Sequence, residues 1–183
     1  MLEHFSSVEA ELPGLLAEAE SWHSLLIDYH PPVVERVWRP WRDLRLSLHR
    51  IYPCGPGEAL LHPHPWPSAV WIVSGEYEMG VTYGSGSSPP PLGARMVLGP
   101  GARYEMLEPD AWHYVRPLEA PSLSIMVTGA PWERAMPVEP EHPLGPMANE
   151  SRQELIMAFR IAMFVHGAPR REITPSLPRT GGS

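Results

Sequence analysis

The sequence contains no lysine, so all 14 of its basic residues are arginine. A Schiff-base lysine, including one that holds a pyridoxal cofactor, is therefore excluded. Cysteine is nearly absent too: Cys54 stands alone, which excludes disulfides within the chain, cysteine-rich zinc sites and iron–sulfur clusters. No apolar run reaches the roughly 18 residues of a membrane-spanning helix.

Positive charge is also scarce. The 21 acidic residues outnumber the basic ones and give a net charge of −7, which argues against nucleic acid or an anionic membrane surface as a partner. Neither a phosphate-binding glycine loop nor the Gly-x-Ser-x-Gly element of hydrolases occurs. The first residues lack the basic start and apolar stretch of a signal peptide, so we predict a cytoplasmic protein.

Proline and glycine are abundant instead, with 24 and 15 copies among 183 residues. So much proline does not fit into helix interiors, which argues against an all-α fold. The length is that of one domain. Because 43% of the residues are hydrophobic, the chain is able to bury a sizeable core.

The distribution of apolar residues predicts four segments. Residues 1–40 form a helical segment that packs on the main domain, because apolar residues from Val8 to Tyr29 recur at three- and four-residue steps. Residues 41–131 form short antiparallel strands, beginning with the alternation of Leu44, Leu46 and Leu48, which is typical of a half-buried strand. Residues 132–167 contain a linker and a helix from Asn149 to Gly167, and residues 168–183 form a disordered tail or one that packs on a partner.

Two of the nine histidines are spaced for metal binding. His62 and His64 are two residues apart, so in a strand both side chains point to the same face. Neutral imidazoles are suitable ligands for Fe, Mn, Ni, Cu and Zn. Five other histidines are predicted at the surface, namely His4, His23, His30, His142 and His166.

The stretch from Gly57 to Tyr77 resembles the first sequence motif of the cupin superfamily. That motif consists of a glycine, His-x-His, a glutamate and a closing glycine, and Gly57, His62, His64 and Gly75 match it, with one residue too few after Gly57. Ser68 occupies the position of the glutamate. Residues 108–115 resemble the second motif through Pro109 and His113, although its glycine is missing. The resemblance covers residues 45–130.

The resemblance implies a mainly β protein, a cupin-type jelly-roll β-barrel with flanking N- and C-terminal helices. It also implies a divalent metal held by His62, His64 and His113. With Ser68 in place of the glutamate, three alternatives remain: a three-histidine site, replacement by another acid, or loss of the metal. His49 on the preceding strand is a fourth ligand, a partner of a ligand, or an ordinary surface or core histidine.

Three neutral ligands leave the full charge on a metal ion, which favours an anionic substrate. Thiol dioxygenases of this superfamily bind the substrate carboxylate with an arginine upstream of the first ligands. The candidates here are Arg36, Arg39, Arg45 and Arg50, and Trp66, Ser68 and Trp112 are further candidates for lining the substrate pocket. The Ser-His-Tyr relay of those enzymes has no counterpart in residues 121–129, so a cysteine dioxygenase is not expected.

The sequence therefore predicts a metal-binding cupin, foremost a non-haem iron oxygenase or dioxygenase that uses Fe(II) on a small anionic substrate. One alternative is a non-catalytic cupin that binds a small ligand or acts in regulation. Another is an isomerase, epimerase or lyase with a different divalent metal (Mn, Ni, Cu or Zn). In each case the partners expected are a small molecule and a second copy of the chain, as a homodimer.

Overall fold

The computed structural model describes residues 1–133 and 143–167, with side chains up to residue 164. Two α-helices flank the strands: α1 (Phe5–Ala17) and α2 (Asn149–Gly167). Short 3₁₀ turns lie at Leu2–His4 and Ala19–Ser21. The strands are β1 (His23–Ile27), β2 (Val34–Trp41), β3 (Leu44–Ile51), β4 (His62–Pro63), β5 (Ser68–Ser74), β6 (Tyr77–Tyr83), β7 (Ala94–Leu98), β8 (Arg103–Met106), β9 (Ala111–Pro117) and β10 (Ser122–Thr128).

These strands form two antiparallel sheets. One has six strands in the order β1-β2-β3-β10-β5-β8, and the other has four in the order β4-β9-β6-β7. The mainly β class with flanking helices is thus confirmed. In the part of the chain that the structure describes, the strands hydrogen-bond as two separate sheets and not as one closed barrel.

The predicted boundary of the N-terminal helical segment is wrong. The helix ends at Ala17, and Glu18 leaves the helical conformation with φ −90° and ψ 59°. Residues 23–27 are a strand paired with β2, so the sheet begins well before residue 41. The apolar residues between 22 and 29 fit either period, and pairing with β2 decides between them.

The main core lies between the six-stranded sheet and the two helices. Its buried side chains come from α1, α2 and every second residue of the strands, among them Leu12, Leu48, Ile125 and Phe159. The other face of β3 is buried as well: Ser47 is 3% and His49 5% exposed. The predicted half-buried strand is therefore buried on both faces, because the second sheet covers this side.

The segment before α2 runs along the free edge of the six-stranded sheet, where the amide of Leu26 donates to the carbonyl of Gly145 at 3.0 Å. Leu144 thereby lies against the space between the two sheets. The linker residues 134–142, including His142, and the tail 168–183 lie outside the described residues, as does the side chain of His166. In the described ranges no helix combines the length and the apolar character needed to cross a bilayer.

Candidate metal centre

Three histidines meet on the inner face of the four-stranded sheet. His62 in β4 lies directly opposite His113 in β9, so their side chains project from the same face of neighbouring strands. His64 follows two residues after His62. The ligand nitrogens of all three lie within 4.8 Å of one another, and Nε2 of His64 is 2.8 Å from Nε2 of His113.

Hydrogen bonds orient two of these rings. Nδ1 of His62 is 2.9 Å from the carbonyl oxygen of Leu60. A carbonyl only accepts, so in the neutral ring Nδ1 carries the proton and Nε2 keeps its lone pair. Nδ1 of His64 is 2.8 Å from Oγ of Ser68, and donation to that oxygen likewise leaves Nε2 of His64 unprotonated.

Burial keeps the three rings neutral. It lowers the pKa of His62 to about 4 and those of His64 and His113 well below the usual value, with the neighbouring histidines adding to the effect. Neutral imidazole is the form that binds metal ions. Three such nitrogens facing one point fit a divalent transition-metal ion, and no carboxylate among the described residues belongs to this cluster.

The histidines border two connected cavities between the sheets. The inner one, of about 80 Å³, extends from His113 past His49 to Tyr104. The outer one, of about 420 Å³, is lined mostly by apolar side chains. His62, His64 and Arg36 line both cavities, so a molecule in the outer cavity reaches the histidines and this arginine together.

Arg36 is the positive charge nearest the centre of the site. Its Nε donates to Nε2 of His49 at 2.8 Å. Burial, with a smaller contribution from the charge of Arg45, lowers the pKa of Arg36 to about 10, so it remains a cation at neutral pH. No carboxylate in residues 1–133 or 143–164 pairs with it.

The other substrate-binding candidates occupy different places. Arg45 and Trp66 line the outer cavity, and buried Ser68 contacts His64. Two candidates lie on the helix-facing side of the six-stranded sheet in ion pairs: Arg39 with Glu18 at 3.0 Å and Arg50 with Glu35 at 3.1 Å. Trp112 points away from the neighbouring His113, and its Nε1 donates to the carbonyl of Gly84 at 2.8 Å.

Sequence reasoning did not single out several residues of the site. Tyr104 lines the inner cavity, with its ring 6.3 Å from that of His113. It accepts a hydrogen bond from Tyr77 at 3.1 Å, and burial raises its pKa to about 12, so its hydroxyl stays protonated. His30, predicted at the surface, is half-buried and lines both cavities. The sequence indicates Tyr104 only as one of five tyrosines able to reach the pocket, and nothing in it separates Tyr104 from the other four.

Comparison with known proteins finds similar structures but no sequence relatives. No protein-family model matches the chain, and no curated protein matches its sequence. Similar solved structures include hydroxypropylphosphonic acid epoxidase from S. wedmorenis, with 16% identity, a TM-score of 0.47 and coverage of 60% of this chain and 56% of the epoxidase. KdgF from Halomonas sp. shows 18% identity, a TM-score of 0.43 and coverage of 57% of this chain and 87% of KdgF.

A third similar structure is that of the DMSP lyases RdDddP and RnDddQII, with 17% identity, a TM-score of 0.41 and coverage of 53% of this chain and 47% of the lyase chain. The aligned region spans only about half the length of the epoxidase and of the lyase. All three TM-scores lie below 0.5, so the candidate site is argued from its own geometry.

Proposed function

We propose that the protein is a metal-dependent enzyme, a non-haem Fe(II) oxygenase or dioxygenase that acts on a small organic anion. The observation that supports this most directly is the cluster of His62, His64 and His113. These three neutral imidazoles, of which His113 is buried and His62 half-buried, meet beside Arg36, a cation that pairs with no carboxylate of the described residues. A bound iron ion would supply Lewis acidity and the redox chemistry with O₂.

Two residues of the chain, Arg36 and Tyr104, bind the substrate in this proposal. Arg36 binds the acid group of the substrate, because guanidinium and carboxylate form strong charge-assisted hydrogen bonds. Tyr104 presents a protonated hydroxyl to the inner cavity, where it donates a hydrogen bond to an oxygen atom of the substrate. The two sheets keep Arg36 and Tyr104 partly buried, and the lower local dielectric constant strengthens both interactions.

The first test measures how many metal ions each chain binds. Protein reconstituted with Fe(II) without air is expected to bind one ion per chain, and His113→Ala is expected to lose it. The matched control is His23→Ala, which removes an exposed histidine of β1 outside the cluster. If native protein and His113→Ala bind equally little metal, the proposal of a metal enzyme fails.

The second test measures whether the iron-loaded protein consumes O₂. Iron-loaded protein is screened for O₂ uptake with carboxylates and thiols, beside zinc-loaded protein as a redox-inert control. We expect uptake with iron alone. Metal binding without O₂ uptake across the screen would reject the oxygenase and favour a ligand-binding role or an isomerase, epimerase or lyase.

A further inference from the structure

Arg36 is a half-buried cation with no counter-charge among the described residues. The described part of the chain offers it one side-chain acceptor, the neutral ring of His49, and its strongest charged neighbour is another cation, Arg45. Buried charges in proteins are as a rule paired, because desolvation of an unpaired charge is costly. An anion from outside the chain completes this arrangement.

His49 holds the guanidinium in place. Arg36 and His49 are direct partners across β2 and β3, and the 2.8 Å hydrogen bond uses Nε of Arg36. The two terminal nitrogens are the part of the guanidinium that binds a carboxylate with two parallel hydrogen bonds. Because His49 fixes the third nitrogen, little side-chain entropy remains to be lost when an acid group binds.

The outer cavity is larger and more apolar than an acid group needs. Its volume of about 420 Å³ lies within the range of roughly 300–1,000 Å³ that holds whole small molecules. Apolar side chains from β1, β2, β10 and the flanking loops form its walls: Leu25, Ile27, Val34, Leu60, Met126 and Leu144. Such walls stabilise a ligand body of hydrocarbon.

We propose that the substrate is an amphipathic organic monoanion, whose acid group binds to Arg36 beside the three histidines and whose apolar body fills the outer cavity. This inference rests on the proposed function, since it describes the substrate of the same site. His49 is a positioning residue in it, because it acts through Arg36.

Arg45 also lines the outer cavity, but it does not require a second acid group on the ligand. Its guanidinium lies 4.4 Å from the ring centroid of Trp38 and 5.8 Å from that of Trp66. The faces of these rings attract a cation and satisfy part of its charge. Of the two arginines that line the described outer cavity, Arg36 is the one without such partners, so a ligand with one acid group matches it.

The experiment uses zinc-loaded protein without turnover and measures binding of acetate, butanoate, hexanoate and octanoate by calorimetry. Each added methylene is expected to raise affinity about fourfold until the cavity is filled. Arg36→Gln is expected to weaken octanoate about tenfold to a hundredfold, with the affinity for 1-octanol unchanged. The matched control is Arg95→Gln, which alters an exposed arginine on β7.

Variants at His49 test whether its hydrogen bond positions Arg36. His49→Gln retains an acceptor for Nε of Arg36, and its octanoate affinity is expected to stay within about threefold of native. His49→Leu is expected to weaken octanoate about tenfold while the zinc content stays unchanged. Equal affinities for the two variants would overturn the role of His49.

The remaining outcomes decide the substrate class. Affinity independent of chain length, or tighter binding of the dicarboxylate suberate than of octanoate, overturns the apolar-body assignment. Leu25→Trp and Ile27→Phe, checked for folding by circular dichroism, are expected to abolish the chain-length dependence. Octanoate binding to a protein that shows no O₂ uptake with iron would retain this inference and reject the oxygenase, so the two failures are distinguishable.

Discussion

At the residue scale, Ser68 is a neutral side chain that contacts a histidine of the candidate metal centre. It stands where the cupin motif has a glutamate, and its Oγ lies 2.8 Å from Nδ1 of His64. Ser68 is fully buried, so water does not replace it as a partner of that ring. We infer that Ser68 orients His64 and sets its tautomer, which is consistent with a three-histidine site.

Ser68→Ala is therefore expected to lower metal affinity about tenfold to a hundredfold, as the loss of a partner of a metal ligand usually does. Competition with a coloured chelator measures the affinity. Ser74→Ala, at the far end of the same strand, is the matched control and is expected to bind like native protein. An unchanged affinity in Ser68→Ala would mean that the serine does not orient the ligand.

The buried histidines also predict how metal-free protein responds to acid. Burial lowers the pKa of His62 from 6.5 to about 4 and shifts His49, His64 and His113 in the same direction. Between about pH 6.5 and pH 4 these histidines bind protons in the unfolded chain but stay neutral in the folded chain. The free energy of unfolding therefore falls as pH decreases from about 6.5 towards 4.

Each such histidine is expected to add about 1.4 kcal/mol per pH unit to this slope. Urea unfolding of metal-free protein at pH 7, 6 and 5 measures it, and His113→Gln is expected to show a shallower slope than native. If the free energy of unfolding at pH 5 equals that at pH 7, the rings are not kept neutral by burial.

At the scale of the secondary-structure elements, the turn at Gly75 explains why a glycine occupies the closing position of the cupin-like motif. It lies in the turn between β5 and β6 with φ +76°, a conformation that favours glycine. A Cβ atom there would come within 2.8 Å of Cα of Ser122, in the neighbouring strand β10. The turn therefore has neither the conformation nor the space for a side chain.

Gly75→Ala is expected to destabilise the protein by about 1–3 kcal/mol. Gly14→Ala is the matched control, because Gly14 lies inside α1 and a Cβ atom there would contact nothing within 4 Å. That substitution is expected to stabilise the protein by up to about 1 kcal/mol. Chemical unfolding measures both, and equal effects of the two would contradict this account of the turn.

The C-terminal helix binds the sheet through one face. Phe159 of α2 is 0% exposed and belongs to the main core, whereas Phe164 is 83% exposed. Phe159→Ala is expected to cost about 3–5 kcal/mol of the free energy of unfolding, and Phe164→Ala less than about 0.5 kcal/mol. Similar losses in the two variants would show that α2 buries a different face.

Local patterns predicted α2, most strands and the pair of His62 and His64, because helix periodicity, strand alternation and the His-x-His spacing are properties of neighbouring residues. His113 was added to this pair only by the resemblance to the second cupin motif. The pair of Arg36 and His49 depends on the register between β2 and β3, which no local pattern contains. The same holds for β1: Leu25 and Ile27 form a cavity wall only because pairing with β2 overrides a weak helical pattern.

At the scale of the whole molecule, the homodimer and the cytoplasmic location stay predictions. One apolar stripe of α2 packs into the core of its own chain. A second stripe remains exposed on α2 at three- and four-residue spacing: Met157, Ile161 and Phe164. Single hydrophobic residues at a surface are ordinary, but a row of them is typical of an interface.

Light scattering at micromolar concentration is expected to show a dimer for native protein. If this stripe forms the interface, Ile161→Arg is expected to yield a folded monomer, because a charge is costly in an apolar contact. Ala120→Arg, at an exposed position between β9 and β10, is the control. A native monomer would contradict the predicted assembly.

The two faces of the six-stranded sheet constrain the sequence in different ways, since one face packs on the helices and the other faces the cavities. Along β3, β5 and β10, consecutive residues therefore experience different selection. In a library of all single substitutions, screening for folded protein should reject changes at one parity of positions, such as Leu46 and Leu48. Screening for ligand binding should also reject changes at the other parity, such as His49 and Ser124. Binding of a different ligand is thus reachable by changing alternate residues, with the fold left almost unchanged.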